Sequence, residues 1–298
     1  MDLLRLPSPV HELISPSFFS HDDEVWIKRD DLIHPLVSGN KSRKLRFLLD
    51  DARGKGKTHL VSFGGAFSNH LLALAAAAAE QGFRATGFVR GDAVDNEMLF
   101  LCRMMGMELI FIRREEYRDK RAVFTRYFST DDAAYFIDEG GAGTLGARGC
   151  EAIIEETEAF FTHIFCACGT GTTAAGMINA AAKRSPDTRV HVVPVLRHAA
   201  METGIRRMLH ADLPFELHCG YEHGGYARSS PELLAFIQTF SAETGILIDP
   251  VYTGKLLFAV HDLLRSKRLS PGKILVVHTG GMFGLLGMRD RFPPPGSK

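Results

Sequence analysis

The sequence has no surplus of either charge: 35 lysines and arginines stand against 35 aspartates and glutamates. A chain without a net field lacks the usual footprint of a nucleic-acid or anionic-membrane binder. Long hydrophobic runs are missing too. The longest, Leu71 to Ala79, falls well short of the ~20 residues that span a bilayer, and Met1-Asp2-Leu3-Leu4-Arg5 does not open a basic and then apolar leader. The expected compartment is the cytoplasm. Cysteines are few and odd in number (Cys102, Cys150, Cys166, Cys168 and Cys219), which argues against a disulfide framework and fits a reducing compartment. Cys166 and Cys168 have no second cysteine pair and no histidine pair at ligand spacing beside them, so no metal site is expected. Within His163-Ile164-Phe165-Cys166-Ala167-Cys168 both read as small hydrophobes on a buried strand.

What the sequence does contain is an alternation of short apolar strands with helical stretches, the pattern of an α/β protein whose mostly parallel sheets are covered by helices. Its 298 residues suffice for one large or two modest domains. Strands are predicted at Thr58 to Phe63, Ala85 to Val89, Leu109 to Ile112, His163 to Cys168, Val190 to Leu196 and Lys273 to His278. Helices are predicted at Ser68 to Gln81, Asn96 to Met105, Thr144 to Phe160, Ala174 to Lys183, Pro231 to Thr244 and Lys255 to Arg265. No low-complexity linker divides them. The run Phe292-Pro293-Pro294-Pro295-Gly296 continues neither helix nor strand and reads as a frayed end.

Four segments carry candidate chemistry. In Ser38-Gly39-Asn40-Lys41-Ser42-Arg43-Lys44-Leu45 a lysine follows a Gly-Asn turn and precedes an amphipathic run, Leu45 to Leu49. A lysine on a loop at a helix start feels the exposed N–H groups, which lowers its pKa and frees the amine to attack carbonyls. Taken alone, such a lysine is more often solvated surface. In Ser62-Phe63-Gly64-Gly65-Ala66-Phe67-Ser68-Asn69-His70 two glycines turn a strand into an Ala-rich helix. Ser68 or Asn69 there either caps the helix or receives a carboxylate, and both roles are compatible. Cys168-Gly169-Thr170-Gly171-Thr172-Thr173-Ala174 joins strand to helix with converging N–H groups and threonine hydroxyls, a cradle for phosphate. It also fits a loose dinucleotide pattern, but no acid is placed for a ribose hydroxyl after the next strand, and no lysine follows the glycines as a P-loop requires. The fourth segment pairs Asp249-Pro250-Val251-Tyr252-Thr253-Gly254-Lys255 with the strand end His278-Thr279-Gly280-Gly281.

Taken in this order, together with Lys28-Arg29-Asp30-Asp31 ahead of the lysine, these segments resemble the 1-aminocyclopropane-1-carboxylate deaminase and D-cysteine desulfhydrase family. That family uses pyridoxal 5'-phosphate on the tryptophan synthase β-like fold (fold type II), and the resemblance covers nearly the whole chain. It implies that Lys41 holds the cofactor covalently and that Gly169, Thr170, Gly171, Thr172 and Thr173 hold its phosphate. It also implies that Asn69 meets the ring hydroxyl and that Ser68, with His70 and neighbouring N–H groups, takes the substrate carboxylate. Tyr226 and Tyr252 would face the substrate, as proton donor or acceptor if cationic surroundings lower a phenol's pKa.

Thr253 and Thr279 would border the cofactor ring. Family members that open the cyclopropane ring carry glutamate and leucine there, so the two threonines align with the desulfhydrase branch. A neutral hydroxyl does not enforce protonation of the pyridine nitrogen, and the weaker electron sink favours prompt β-elimination. The expected activity is therefore D-cysteine desulfhydrase-type elimination to pyruvate, ammonia and sulfide. The cyclopropane acid and other small D-amino acids stay open as substrates, because Ile33-His34-Pro35-Leu36 departs from the family pattern. The resemblance further implies a homodimer, a large domain from residues 1–51 and 159–298, and a small domain from 52–158 that closes on substrate. A non-catalytic pyridoxal-phosphate carrier or sensor and a nucleotide-dependent oxidoreductase are the competing readings.

Overall fold

The computed structural model describes residues 4–15, 17–20, 22–37 and 39–292. Ser38 and the proline run from residue 293 onward lie outside these. Strands β1 (Val10–Glu12) and β2 (Val25–Arg29) come first, followed by α1 (Asn40–Gly54), β3 (His59–Gly64), α2 (Asn69–Gln81), β4 (Arg84–Arg90) and α3 (Glu97–Met104). Next come β5 (Glu108–Ile112), α4 (Lys120–Phe128), β6 (Ala134–Phe136), α5 (Thr144–Glu155), β7 (His163–Cys168) and α6 (Thr172–Arg184). The chain ends with β8 (Arg189–Pro194), α7 (Met201–Arg206), β9 (Glu216–Leu217), α8 (Pro231–Thr244), α9 (Thr253–Arg265) and β10 (Ile274–His278).

Two sheets result. The larger has the order β1-β2-β10-β7-β8-β9 and the smaller β5-β4-β3-β6. Every pairing is parallel except β1 with β2. Parallel sheets are covered on both faces, so their central strands are apolar throughout rather than alternating; β3, β7 and β10 are buried along their full lengths. On one face of the larger sheet Phe165, Val193 and Val276 meet Phe240 and Leu256 of α8 and α9. On the other, Ile164, Cys166 and Val192 meet Ile153 of α5 and Met177 of α6. Cys166 and Cys168 are core residues, and burial pushes the Cys168 thiol up to about 12 and the Cys166 thiol well above its usual value.

All four strands of the smaller sheet lie within residues 52–158. Two helices near the expected domain limits do not follow them. Helix α5 lies inside those limits but packs into the larger sheet's core. Helix α1 lies outside them except for its last turn, yet Leu45, Leu48 and Leu49 share a core with Leu60 of β3 and Leu71 of α2. The helix expected to run to Phe160 stops at Glu155. There Thr157 Oγ1 donates back to Ile153 O (2.9 Å), and Glu156 turns away to accept from Arg43 and from the Ser8 N–H.

Candidate active site

The start of α1 is fixed by Gly39, which sits at φ 63°. A Cβ there would lie 1.8 Å from the Thr279 carbonyl oxygen, so only glycine fits both the left-handed backbone and the approach. The Asn40 N–H donates to that same oxygen (3.2 Å). Lys41 consequently lies within the first turn of α1, not on a loop before it. Beneath it, Arg43 is held by Asp30 (Nη2 to Oδ1 2.9 Å, Nε to Oδ2 3.1 Å), and Ser8 Oγ also donates to Asp30 (2.6 Å). Asp30 of the Lys28 to Asp31 segment and Arg43 of the lysine segment thus anchor the helix that presents the lysine.

Lys41 is half-buried, and its ammonium donates to Asn40 Oδ1 (3.0 Å). Asn40 Nδ2 in turn donates to Thr173 Oγ1 (2.8 Å). One side-chain amide therefore joins the amine to the glycine-threonine turn. The Lys41 pKa falls to about 7, first because burial disfavours the charged form and then because Lys44 adds a second positive charge. Lys44 is buried one turn along the same helix face, donating to Gly140 O (3.3 Å).

The turn itself begins α6. Gly171 is the N-cap at φ 84°, and a Cβ on it would lie 2.8 Å from Ile205 Cγ1. The first amide N–H groups of the helix have no carbonyl partner inside it. Beside the turn, the Tyr252 ring lies so close to Gly169 that a Cβ there would be 3.2 Å from Cε1.

A cleft of about 600 Å³ brings these groups together. Lys41, Gly169, Thr170, Gly171, Thr173 and Thr279 line it. So do Ser68, Asn69, His70, Tyr226 and Tyr252. Ser68 also caps α2, accepting from Leu71 N (3.3 Å), so capping and cleft lining coexist. His70 Nε2 bonds Ser62 Oγ (2.8 Å), whose own proton goes to Ile137 O (2.8 Å). His70 Nε2 therefore carries a proton, burial holds the ring's pKa well below its usual value and keeps it neutral, and its Nδ1 has no partner among the described residues.

Two expected residues are absent from the wall. Thr172 is fully buried, with its hydroxyl 3.2 Å from that of Thr170. Thr253 is buried as well, donating to Asp249 Oδ1 (2.7 Å). Asp249 needs that geometry, because its carboxylate accepts from the N–H groups of Val251, Tyr252 and Thr253, all at 2.9 Å, and so builds the turn that presents Tyr252.

The phenols also differ from the lowered-pKa expectation. Burial raises both, Tyr252 well above its usual value, and their rings stand edge to face with centroids 6.3 Å apart. Both stay protonated at neutral pH. Residues the motifs did not single out as site groups include Lys44, Arg90 and Glu139. The spacing of Lys44 from Lys41, and the position of Arg90 at the C-terminal end of a strand, were the available signals.

These groups suit pyridoxal phosphate. The glycine turn leaves room where a side chain would intrude, the free amides and the Thr170 and Thr173 hydroxyls suit a phosphate, and an amine of low pKa shares the cleft. Comparison with known proteins agrees. The model of the pyridoxal-phosphate dependent enzymes matches residues 2–280. The Arabidopsis thaliana bifunctional D-cysteine desulfhydrase/1-aminocyclopropane-1-carboxylate deaminase is 29% identical over 97% of this chain and 80% of its own. The D-cysteine desulfhydrase of Serratia proteamaculans is 29% identical over 94% and 93%. A crystal structure of an ACC deaminase homologue superposes with a TM-score of 0.87 at 29% identity, covering 97% of this chain and 94% of that one. An L-serine ammonia-lyase of the fungus Rhizomucor miehei, 17% identical, shares the fold at a TM-score of 0.72, over 97% of this chain and 99% of its own. Among the described residues no helix is long and apolar enough to cross a membrane. The chain belongs to the pyridoxal-phosphate dependent enzymes of fold type II, in the group that holds the 1-aminocyclopropane-1-carboxylate deaminases and D-cysteine desulfhydrases.

Proposed function

We propose that this enzyme eliminates the β-substituent of a small D-amino acid, D-cysteine above all, and releases pyruvate, ammonia and sulfide. Pyridoxal phosphate, held by Lys41 and the Gly169–Thr173 turn, supplies the electron sink that makes the substrate α-carbon acidic. The observation that carries the reading is a division of proton roles inside one cleft. The Lys41 amine, with a pKa of about 7, exists substantially as free base at neutral pH and can take the α-proton. Tyr252 and Tyr226, both raised, hold their protons and can donate one to a departing thiolate. Ser68 and the first amides of α2 receive the substrate carboxylate. The residue after Tyr252 and the residue after His278 are both threonine, and neither brings a carboxylate to the ring. This favours elimination over ring opening.

The test is a panel of D- and L-amino acids with the cyclopropane acid, scored for keto acid, ammonia and sulfide, on the wild type and Lys41→Ala. Sulfide and pyruvate from D-cysteine, lost in the variant, are expected. Turnover of the cyclopropane acid alone would move the enzyme to the deaminase branch. Cofactor bound to Lys41 without turnover of any amino acid would favour a carrier.

A further inference from the structure

Away from the cleft, three histidines run in a row across neighbouring strands of the larger sheet. His163 opens β7, His191 lies within β8, and His218 directly follows β9. Glu216, paired with His191 across the ladder, shares a face with His218 because alternate strand residues point the same way. Their proton positions follow from the buried end. His163 Nε2 lies 3.1 Å from the Ser270 carbonyl oxygen, which can only accept, so Nε2 carries the proton and Nδ1 a lone pair. His191 Nε2, 2.9 Å away, must donate to that lone pair, which leaves the His191 Nδ1 lone pair facing outward. His218 Nε2 meets it at 2.8 Å. Glu216 Oε2 lies 3.4 Å from His191 Nδ1 and 3.8 Å from His218 Nε2. All three donor atoms fall within 4.8 Å of one another.

We propose that His191 Nδ1, His218 Nε2 and Glu216 Oε2 form a binding site for a divalent transition-metal ion of the zinc class, with water as fourth ligand. Two nitrogens on a tetrahedral zinc stand roughly 3.3 Å apart, so the hydrogen-bonded pair must open by only about 0.5 Å. On binding, His218 gives up its Nε2 proton and carries one on Nδ1 instead; no other covalent bond changes. His191 already donates its one N–H, on Nε2, to His163, and His163 donates to a backbone carbonyl, the outer-shell arrangement that orients metal-bound imidazoles. Phe165 stacks on the His191 ring at 4.3 Å and fixes its plane.

The nearby cations are partly neutralised. Arg189 faces the other oxygen of Glu216 (3.8 Å), and Arg268 is engaged by Asp262 and by the Tyr221 hydroxyl. A two-imidazole, one-carboxylate set selects zinc-like ions over magnesium or calcium. The bound ion would tie β8 to the two-residue edge strand β9. Linear spacing gives no sign of this set, because its ligands come from two strands separated by α7.

Titration calorimetry with Zn²⁺ and visible spectroscopy with Co²⁺ on the cofactor-loaded protein test the site. One ion per chain and tetrahedral Co²⁺ bands are expected. Glu216→Gln and His218→Ala, both at the accessible edge, should lower affinity by about 100-fold or more, and His163→Ala by roughly 10- to 100-fold. The cofactor absorption should not move in any of them. Cys219 is an exposed thiol beside His218, and Cys219→Ser should bind Zn²⁺ as the wild type does. Binding that survives His218→Ala, binding lost in Cys219→Ser, or wild-type affinity weaker than about 0.1 mM would each overturn the proposal.

Discussion

Lys41, in the first turn of α1, and Lys255, in the first turn of α9, sit in closely similar local structure but meet different surroundings. Lys41 is half-buried at the cleft and donates to one side-chain amide oxygen. Lys255 is fully buried and donates to three backbone carbonyls, those of Val195 (3.1 Å), Glu222 (2.7 Å) and Gly225 (2.8 Å). Burial lowers both pKa values, to about 7 for Lys41 and about 8 for Lys255. Desolvation alone therefore does not make a reactive amine. Three carbonyl dipoles fix the Lys255 ammonium in place and engage every proton it carries, whereas Lys41 can lose its proton and point its lone pair into the cleft. The first lysine suits the chemistry proposed for it, and the second holds the 222–226 loop that carries Tyr226.

The largest effect expected from this contrast is on turnover. Lys41→Ala should lower kcat by about a thousand-fold or more, and borohydride should no longer fix the cofactor to the chain. The phosphate turn is untouched by that change, so cofactor should still bind, non-covalently. Lys255→Met should do the reverse. Its bulk is similar, but three buried carbonyls lose their donor, at a cost to folding of about 3 kcal/mol, read as a lower Tm or denaturation midpoint. Covalent cofactor attachment should survive in Lys255→Met, with a lower kcat because the Tyr226 loop is loosened. If Lys255→Met instead lost the attachment while folded, the distinction between the two lysines would be wrong.

How much of this was legible in the sequence depended on whether the signal was local. The glycine-threonine turn before α6 and the Gly64-Gly65 turn before α2 could be read because apolar strands and helices flank them within a few residues. The α1 lysine was visible for the same reason. Strand β2 was not, since Lys28 and Arg29 interrupt its apolar pattern; buried Lys28 donates to Ser8 O at 3.0 Å and lies 3.9 Å from Glu156 Oε2, partners far away in sequence. The edge strands β1, β6 and β9 are too short to show a period. Thr253 was read as a ring contact from its position after Tyr252, but the cap it forms with Asp249 is a property of the folded turn. The histidine row combines residues from three strands, which linear spacing cannot reveal. Arg90 reaches the cleft from the end of β4 and Glu139 from a short helical turn three residues after β6, and the order of these strands in the sheet is not written in sequence order.

The finest distinction between the two lysines lies in their charged neighbours. After burial, the largest influence on Lys41 is the positive charge of Lys44, whereas for Lys255 it is the negative charge of Asp249. Lys44→Met removes the repulsion while keeping an apolar chain of similar length. The Lys41 midpoint should then rise above about 7, and below its midpoint the free-base fraction falls about tenfold for each pH unit. Capture of added pyridoxal phosphate by cofactor-free protein, followed against pH, reads that midpoint directly; it should climb through neutrality and level off in the wild type, and do so at higher pH in the variant. Stability moves with the same sign. Because the folded pKa lies below the ordinary lysine value of 10.5, the unfolded chain binds the extra proton between about 7 and 10.5, so cofactor-free protein gains stability as pH rises across that window. Lys44→Met should narrow the window from its lower end. If the capture midpoint does not move, burial alone sets the Lys41 amine, and its difference from Lys255 reduces to the carbonyls around each ammonium.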